Sequence, residues 1–192
     1  MDGQSLQAFG GALTGHIAGQ RHAMAGAAIA LSAALASSLG EACLRISALE
    51  SEDVSDRQVL AASAGRLCDI REQLLELAVE DGAAIGEYAA RREAGDVLEG
   101  QERLCQMPVE MAKLAAEAAL ILQERRAQVG RVRDDLEMAL TLLHSAARAA
   151  ILLLDSNLRI WPEADLLARF EPELAALIGL SAQLSPVSRV RG

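Results

Sequence analysis

Two carboxylates in this chain stand where burial would make them reactive. Asp134 and Asp135 open the run Arg133-Asp134-Asp135-Leu136-Glu137-Met138-Ala139-Leu140-Thr141-Leu142-Leu143, which stays largely apolar to Leu154 past His144 and Arg148. A helix apolar on most faces is a central helix, so a carboxylate at its entrance is expected to be partly desolvated. Such a group must be paired, carry a shifted pKa, or work on a proton. Helical spacing sets Asp135 on one stripe with Met138/Ala139, Leu142, Ala146, Ala149/Ala150 and Leu153, continued by Asn157. Asp135 and Asn157 are then about 33 Å apart along the axis, too far to share a site in one subunit. An antiparallel pairing of two copies would bring such ends together. The second carboxylate is Asp81, on the face of Leu67, Leu74, Leu77/Ala78, Ile85 and Tyr88, with Glu72, Glu76 and Glu80 to the sides or back. Two plain alternatives stand beside a functional role. Asp81 could cap a neighbouring helix or pair with an arginine, and Asp134-Asp135 could stabilise the positive end of their own helix.

Arg125, Arg126, Arg131 and Arg133 crowd the approach to Asp135. They either complement the negative end of the preceding helix or form an anion-binding rim that lowers the pKa of the carboxylate. His144 lies across the helix from Asp135 and reads as a core or interface histidine. His16 and His22 flank Gly19-Gln20-Arg21 without metal-ligand spacing. With no HExxH, Cys/His cluster or paired Glu-x-x-His, no metal site is expected. Nor is there a Gly-rich phosphate loop.

Long helices must position these groups. The pattern predicts helix one over Ser5 to Ala18 and helix two from about Ala23 to Leu49. Helix three starts at Ser55-Asp56-Arg57-Gln58, which has the capping-box form, and runs to about Arg92. Asp96-Val97-Leu98-Glu99 reads as the start of helix four, which reaches about Arg126 with a kink or break near Met107 because Pro108 follows. Helix five spans about Arg131 to Leu158. Trp161-Pro162 opens a last helix interrupted at Pro172. The expectation is an all-α antiparallel bundle of five to six long helices, a single domain over residues 1–184, and a flexible tail over 185–192. Helices two and five are apolar enough that a second subunit is expected to cover part of their surface.

Composition narrows the function classes. The chain has 192 residues, a hydrophobic fraction of 52% and only 2% aromatic residues, so its core is built from Ala, Leu, Ile, Val and Met. The net charge of −9 argues against a nucleic-acid surface. Lys113 is the only lysine among 18 Lys and Arg residues. Cys43, Cys68 and Cys105 are odd in number and lack a CxxC spacing, as expected of reduced, mostly buried thiols in a cytoplasmic protein. Met1-Asp2-Gly3-Gln4 has no basic n-region, so no signal peptide is expected. Ala23 to Gly40 is uncharged but mostly Ala, Ser and Gly, which suits a buried helix packed against small-residue faces better than a membrane span.

Five segments, in order and spacing, resemble the cyclodeaminase/cyclohydrolase family of folate one-carbon enzymes. Gly26-Ala27-Ala28-Ile29-Ala30-Leu31-Ser32-Ala33-Ala34-Leu35 resembles the family's small-residue helix, which follows a Pro-Gly-Gly-Gly-Ser turn. Val79-Glu80-Asp81-Gly82-Ala83-Ala84-Ile85 resembles its Glu-Asp-x-x-Ala-Phe segment, and Met107-Pro108-Val109-Glu110-Met111-Ala112 its Val-Pro-Leu-x-x-Ala segment. Asp134-Asp135-Leu136-Glu137-Met138-Ala139 stands where the family has Ser-Asp-x-x-x-Ala. Ser156-Asn157-Leu158 matches the Asn-Leu that ends the same helix. The resemblance spans about residues 5 to 180. It implies a helical homodimer acting on a tetrahydrofolate derivative, with no tightly bound cofactor, no nucleic acid and no membrane partner. The reaction would be hydrolysis of a methenyl bridge to a formyl group, or release of ammonia from a formimino group. By this matching Asp135 and Asp81 are the catalytic acids, Gly26 the turn glycine and Asn157 the amide. His22, Arg131 and Arg133 are taken with Gly26 and Asn157 as substrate-binding, the two arginines meeting substrate carboxylates. The chain departs from the pattern in three places. Ala23-Met24-Ala25-Gly26-Ala27 keeps one glycine of the turn, Glu50-Ser51-Glu52 replaces a lysine-rich stretch, and Leu153 replaces an asparagine. These departures open the alternative of a non-catalytic homologue, a helical dimer that binds a small molecule or a partner protein.

Overall fold

The computed structural model describes residues 3–96 and 99–190, without the side chains of residues 3 and 4. Six helices follow one another: α1 (Gly3–Ala18), α2 (Ala25–Glu50), α3 (Val54–Ala94), α4 (Gln101–Arg125), α5 (Arg133–Ile160) and α6 (Ala164–Ser181), with a 3-10 turn over Arg126–Gln128. No strand occurs among the described residues. Short connections turn successive helices back on one another, and the expected all-α bundle is what forms. α2, α4 and α5 pack together at the centre, α3 lies along α2 and α4, and α6 lies against α5 and α4. α2 can be central because Ala30, Ala33, Ala34, Ala36, Ser37 and Gly40 bury a face with almost no side-chain bulk. At Gly40 an added Cβ would stand 2.8 Å from Leu122 Cδ1, which measures how closely α2 and α4 approach.

The core divides along the bundle axis. One cluster gathers Leu44, Leu60, Leu67, Leu122, Leu136 and Leu140. The other gathers Ala27, Ala30, Met107, Met111, Leu154 and Phe170. Trp161 and Tyr88 close the second, with Trp161 Nε1 donating to Tyr88 Oη at 2.8 Å and the rings edge-on at 5.2 Å. α2 and α5 are long and apolar enough to cross a membrane by length and composition, and half of each apolar window is buried in the bundle.

Several boundaries differ from the sequence reading. The cap of α3 is Asp53, whose carboxylate accepts from the N–H groups of Ser55 at 2.7 Å and Asp56 at 3.1 Å, so the helix starts before the Ser55 capping box. Val97 and Leu98 of the second expected capping box lie outside the described residues, and α4 starts at Gln101 after Gly100 at φ 94°. α6 runs unbroken through Pro172. Leu184 is buried, and Ser185 N–H and Oγ both donate to Gln123 Oε1. Of the expected tail, residues 191 and 192 lie outside the described residues.

Of the kink or break expected near Met107, the break does not occur: α4 is continuous from Gln101 to Arg125. Proline removes the N–H that would bond the carbonyl four residues back, here that of Leu104. Asn157 Nδ2 donates to that oxygen at 2.8 Å. A buried carbonyl left unmade would cost about 1–3 kcal/mol, so one amide from α5 removes much of the reason to break. Asn157→Ala is expected to lower stability by about that amount in urea denaturation. The loss should shrink when Pro108→Ala restores the helical N–H. Equal losses in both backgrounds would refute the link.

Candidate functional site

α2 begins without a cap of its own, because Met24 at the N-cap position offers no side-chain hydrogen bond. The missing acceptor comes from α3. Asp81 Oδ2 accepts the Ala27 N–H at 2.9 Å, across 54 residues of sequence. A carboxylate at the positive end of a helix is favourably placed. Asp81 is nevertheless only 6% exposed. Burial pushes its carboxyl above the ordinary range, against the opposing pull of the Ala27 N–H. Gly26 explains how the carboxyl comes so close: a Cβ built on it would lie 2.1 Å from Asp81 Oδ1. The surviving glycine of the turn is therefore the floor of a carboxyl cradle. The capping alternative raised from sequence holds for Asp81.

Beside this cradle lies a cavity of about 520 Å³ between α1, α2 and α3. Ala27, Ala78 and Gly82, which bond to or neighbour Asp81, form part of its wall, and His16, Gln20 and Met24 stand at its rim. Met24 lies across the wall, since a Cβ on Gly82 would come within 2.6 Å of Met24 Cε. Size and apolar lining suit a small heterocycle: ligand cavities run from roughly 300 to 1,000 Å³. His16 and Gln20 were not singled out as binding residues from sequence. His16 in the last turn of α1 and Gln20 in the connection after it lie on no apolar stripe, and only the close pairing of His22 and His16 around Gly19 hinted at the region. His22 itself is half-buried in the connection between α1 and α2.

The other predicted residues lie elsewhere. Asp135 is exposed, against the expectation of desolvation. The reason is the register of α5. Its buried line runs through Leu136, Ala139/Leu140, Leu143, Ala146/Ala147, Ala150 and Leu154, and Met138 and Leu142, read as inward, are about half exposed. The charge of Asp135 acts on Cys43, helping burial push that thiol up to about 11. Cys43 stands 16 residues beyond Ala27 on α2, about 24 Å of helix rise, so the two aspartates do not share a site within one subunit. The buried acid of α5 is Glu137, missed from sequence because α5 carries apolar residues on nearly every face and its partner Arg126 lies across the preceding turn. Arg126 Nη2 donates to Glu137 Oε2 at 2.9 Å, and Arg126 Nε stands 2.6 Å from Oε1. The same Nη2 donates to the Ser185 carbonyl.

The arginine rim is largely spent on acids. Arg131 pairs with Glu50, one of the residues standing in the family's lysine stretch. Arg125 meets Glu124 and Gln128. Arg133 is exposed, with no ion pair among the described residues. Asn157 belongs to the same half of the core as Ala27, with its amide committed to Leu104. Among the described residues no group of three or more His, Cys, Asp or Glu is placed to hold a metal ion.

Residues 16–176 match the family model described as Formiminotransferase-cyclodeaminase. The chain belongs to this family. The match begins at His16 and takes in the Asp81 cradle, α4 and all of α5. Comparison with curated proteins finds no match.

Two outcomes are expected of the cradle. Gly26→Ala should destabilise the protein by about 1–3 kcal/mol through overpacking, with most of the loss recovered in an Asp81→Ala background. A carboxyl whose folded pKa is raised stabilises the fold below its unfolded value, about 3.9, and loses that contribution as pH rises through the folded value. Asp81→Asn keeps an acceptor but no charge. Denaturation at several pH values should therefore show the variant gaining on wild type from pH 4 to 7. A variant that loses ground over that range would contradict the assignment.

Proposed function

We propose that this member of the formiminotransferase-cyclodeaminase family is a one-carbon enzyme acting on a tetrahydrofolate derivative in the cavity beside Asp81. The observation that carries the reading is the buried, raised-pKa carboxyl of Asp81 directly behind the Ala27, Ala78 and Gly82 wall of a cavity of ligand size. A carboxyl whose protonated form is favoured by burial is suited to general-acid work. In methenyl hydrolysis, water adds to the bridging carbon and a ring nitrogen leaves. In formimino deamination, the exocyclic amine of the carrier closes on the carbon, which already sits on a ring nitrogen, and ammonia leaves. Both need a proton delivered to the departing nitrogen. Asp81 Oδ1, the oxygen not bonded to Ala27, is the donor in this reading, with Ala27, Ala78 and Leu31 packing the pterin and His16 and Gln20 at its polar edge. Asp135, assigned with Asp81 from the resemblance, works in this scheme only if a second subunit brings it to the cavity. The exposed Met138, Leu142 and Leu152 of α5 support such a homodimer.

A specific feature favours the second reading, a non-catalytic ligand-binding homologue. Met24 lies over Gly82 where the family has a glycine turn, and Asp81 already serves as a cap. Turnover of methenyl- and formimino-tetrahydrofolate by the purified protein separates the two. The enzyme reading expects turnover that Asp81→Asn lowers about a hundredfold or more with tetrahydrofolate binding retained. Binding without turnover in wild type would establish the second reading. No binding of any reduced pterin would remove the folate assignment and leave a non-catalytic homologue that binds another small molecule or a partner protein. For the dimer, sedimentation should give a two-chain mass that Leu142→Glu reduces to one; a wild-type monomer would overturn it.

A further inference from the structure

Among the described residues, α1 is the helix that the bundle holds most loosely. Among its described side chains Leu13 and Ile17 are half-buried and the rest are exposed. A Cβ on Gly10, Gly11 or Gly15 would meet nothing within 4 Å. Yet α1 is patterned for burial, since Leu6, Phe9, Leu13 and Ile17 recur at spacings of three and four on one face. Leu13 and Ile17 line the cavity beside Asp81 together with Ala27 and Leu31 of α2. In an antiparallel helix pair, stepping four residues back along one helix steps four forward along the other. An antiparallel register with Ile17 against Ala27 and Leu13 against Leu31, four side chains that share this cavity, sets Phe9 against Leu35. Phe9 is 63% exposed and Leu35 is 65% exposed. Leu75 and Val79 of α3 flank the same groove and are also exposed. The apolar stripe of α1 therefore has a complement on α2 one turn beyond the cavity, and both are exposed.

We propose that α1 is a lid, hinged over Gly19–Met24, that closes on the cavity by seating Phe9 and Leu6 in the α2/α3 groove at Leu35. The hinge has the right composition: residues 19–24 are non-helical and include Gly19. Closure buries four large apolar side chains, Leu6, Phe9, Leu35 and Val79, now facing water, and excludes water from the space beside Asp81, as active-site lids do. His16 is carried on the same helix and turns with it. The identity of the ligand rests on the functional reading above; the closure does not.

The test pairs Leu6→Cys with Ser38→Cys, one turn beyond Phe9 and Leu35, in a Cys68→Ser background. A disulfide forms only when the two Cα atoms come within about 7 Å. Mild oxidation is expected to cross-link the pair within one chain, as seen by mass spectrometry. Ala8→Cys with Ser38→Cys, on the far face of α1, should remain reduced. Absence of the cross-link would overturn the lid, and so would a cross-link between chains, which would give the stripe to a second copy. Tetrahydrofolate should then leave the cross-linked protein at least roughly tenfold more slowly than the reduced one. Unchanged dissociation would overturn the role of the lid at this cavity. If tetrahydrofolate does not bind either form, the ligand assignment fails while the cross-link still decides closure.

Discussion

A single carboxyl from α3 completes the start of α2, and the arrangement of the site depends on it. Met24 cannot cap its own helix, so the Ala27 N–H needs an acceptor, and Asp81 supplies it from 54 residues away. Gly26 has to be glycine because the carboxyl occupies the space of its side chain. This contact fixes the longitudinal register of α2 against α3, which in turn sets the small-residue face of α2 against α4 and α5. It also leaves an acid in a place where ionisation is disfavoured. The fold and the chemistry proposed for it thus draw on the same interaction.

A second cross-helix bond works in the same way. The proline of α4 exposes the Leu104 carbonyl, and the amide of Asn157 closes it. Asn157, matched to the family as a binding amide, has a structural duty that would keep it in place whether or not substrate binds. Arg126 is a third such tie, holding the buried Glu137 and the Ser185 carbonyl together. The exposed ion pairs, such as Arg103 with Glu80 and Glu110, belong to a different class. They are solvent-screened and add little stability.

The helices were legible because their signals are local: apolar spacing, a chain turn at Ser51–Asp53, and Gly95 at φ 76° ending α3. The prolines misled because a helix interruption is decided by whether the orphaned carbonyl finds a donor, and the donor to Leu104 is 53 residues away. Asp81 was found because it falls on a clean apolar stripe. Asp135 was misread because α5 carries apolar residues on nearly every face. Met138 and Leu142 lent weight to a stripe that points outward, while Leu136, Leu140 and Leu143 point in. Glu137 was overlooked for the same reason, since its burial depends on Arg126 across a turn.

The central claim is that Asp81 is a buried acid holding its proton above the ordinary aspartate range, and a carboxyl-carbon NMR titration of the labelled protein tests it most directly. The account expects one aspartate signal, absent in Asp81→Asn, to titrate clearly above about 3.9, the value for an unperturbed aspartate. A signal assigned to Asp81 that titrates at or below that value would mean the α2 N-terminus holds the carboxylate ionised. Asp81 would then be a helix cap and no acid.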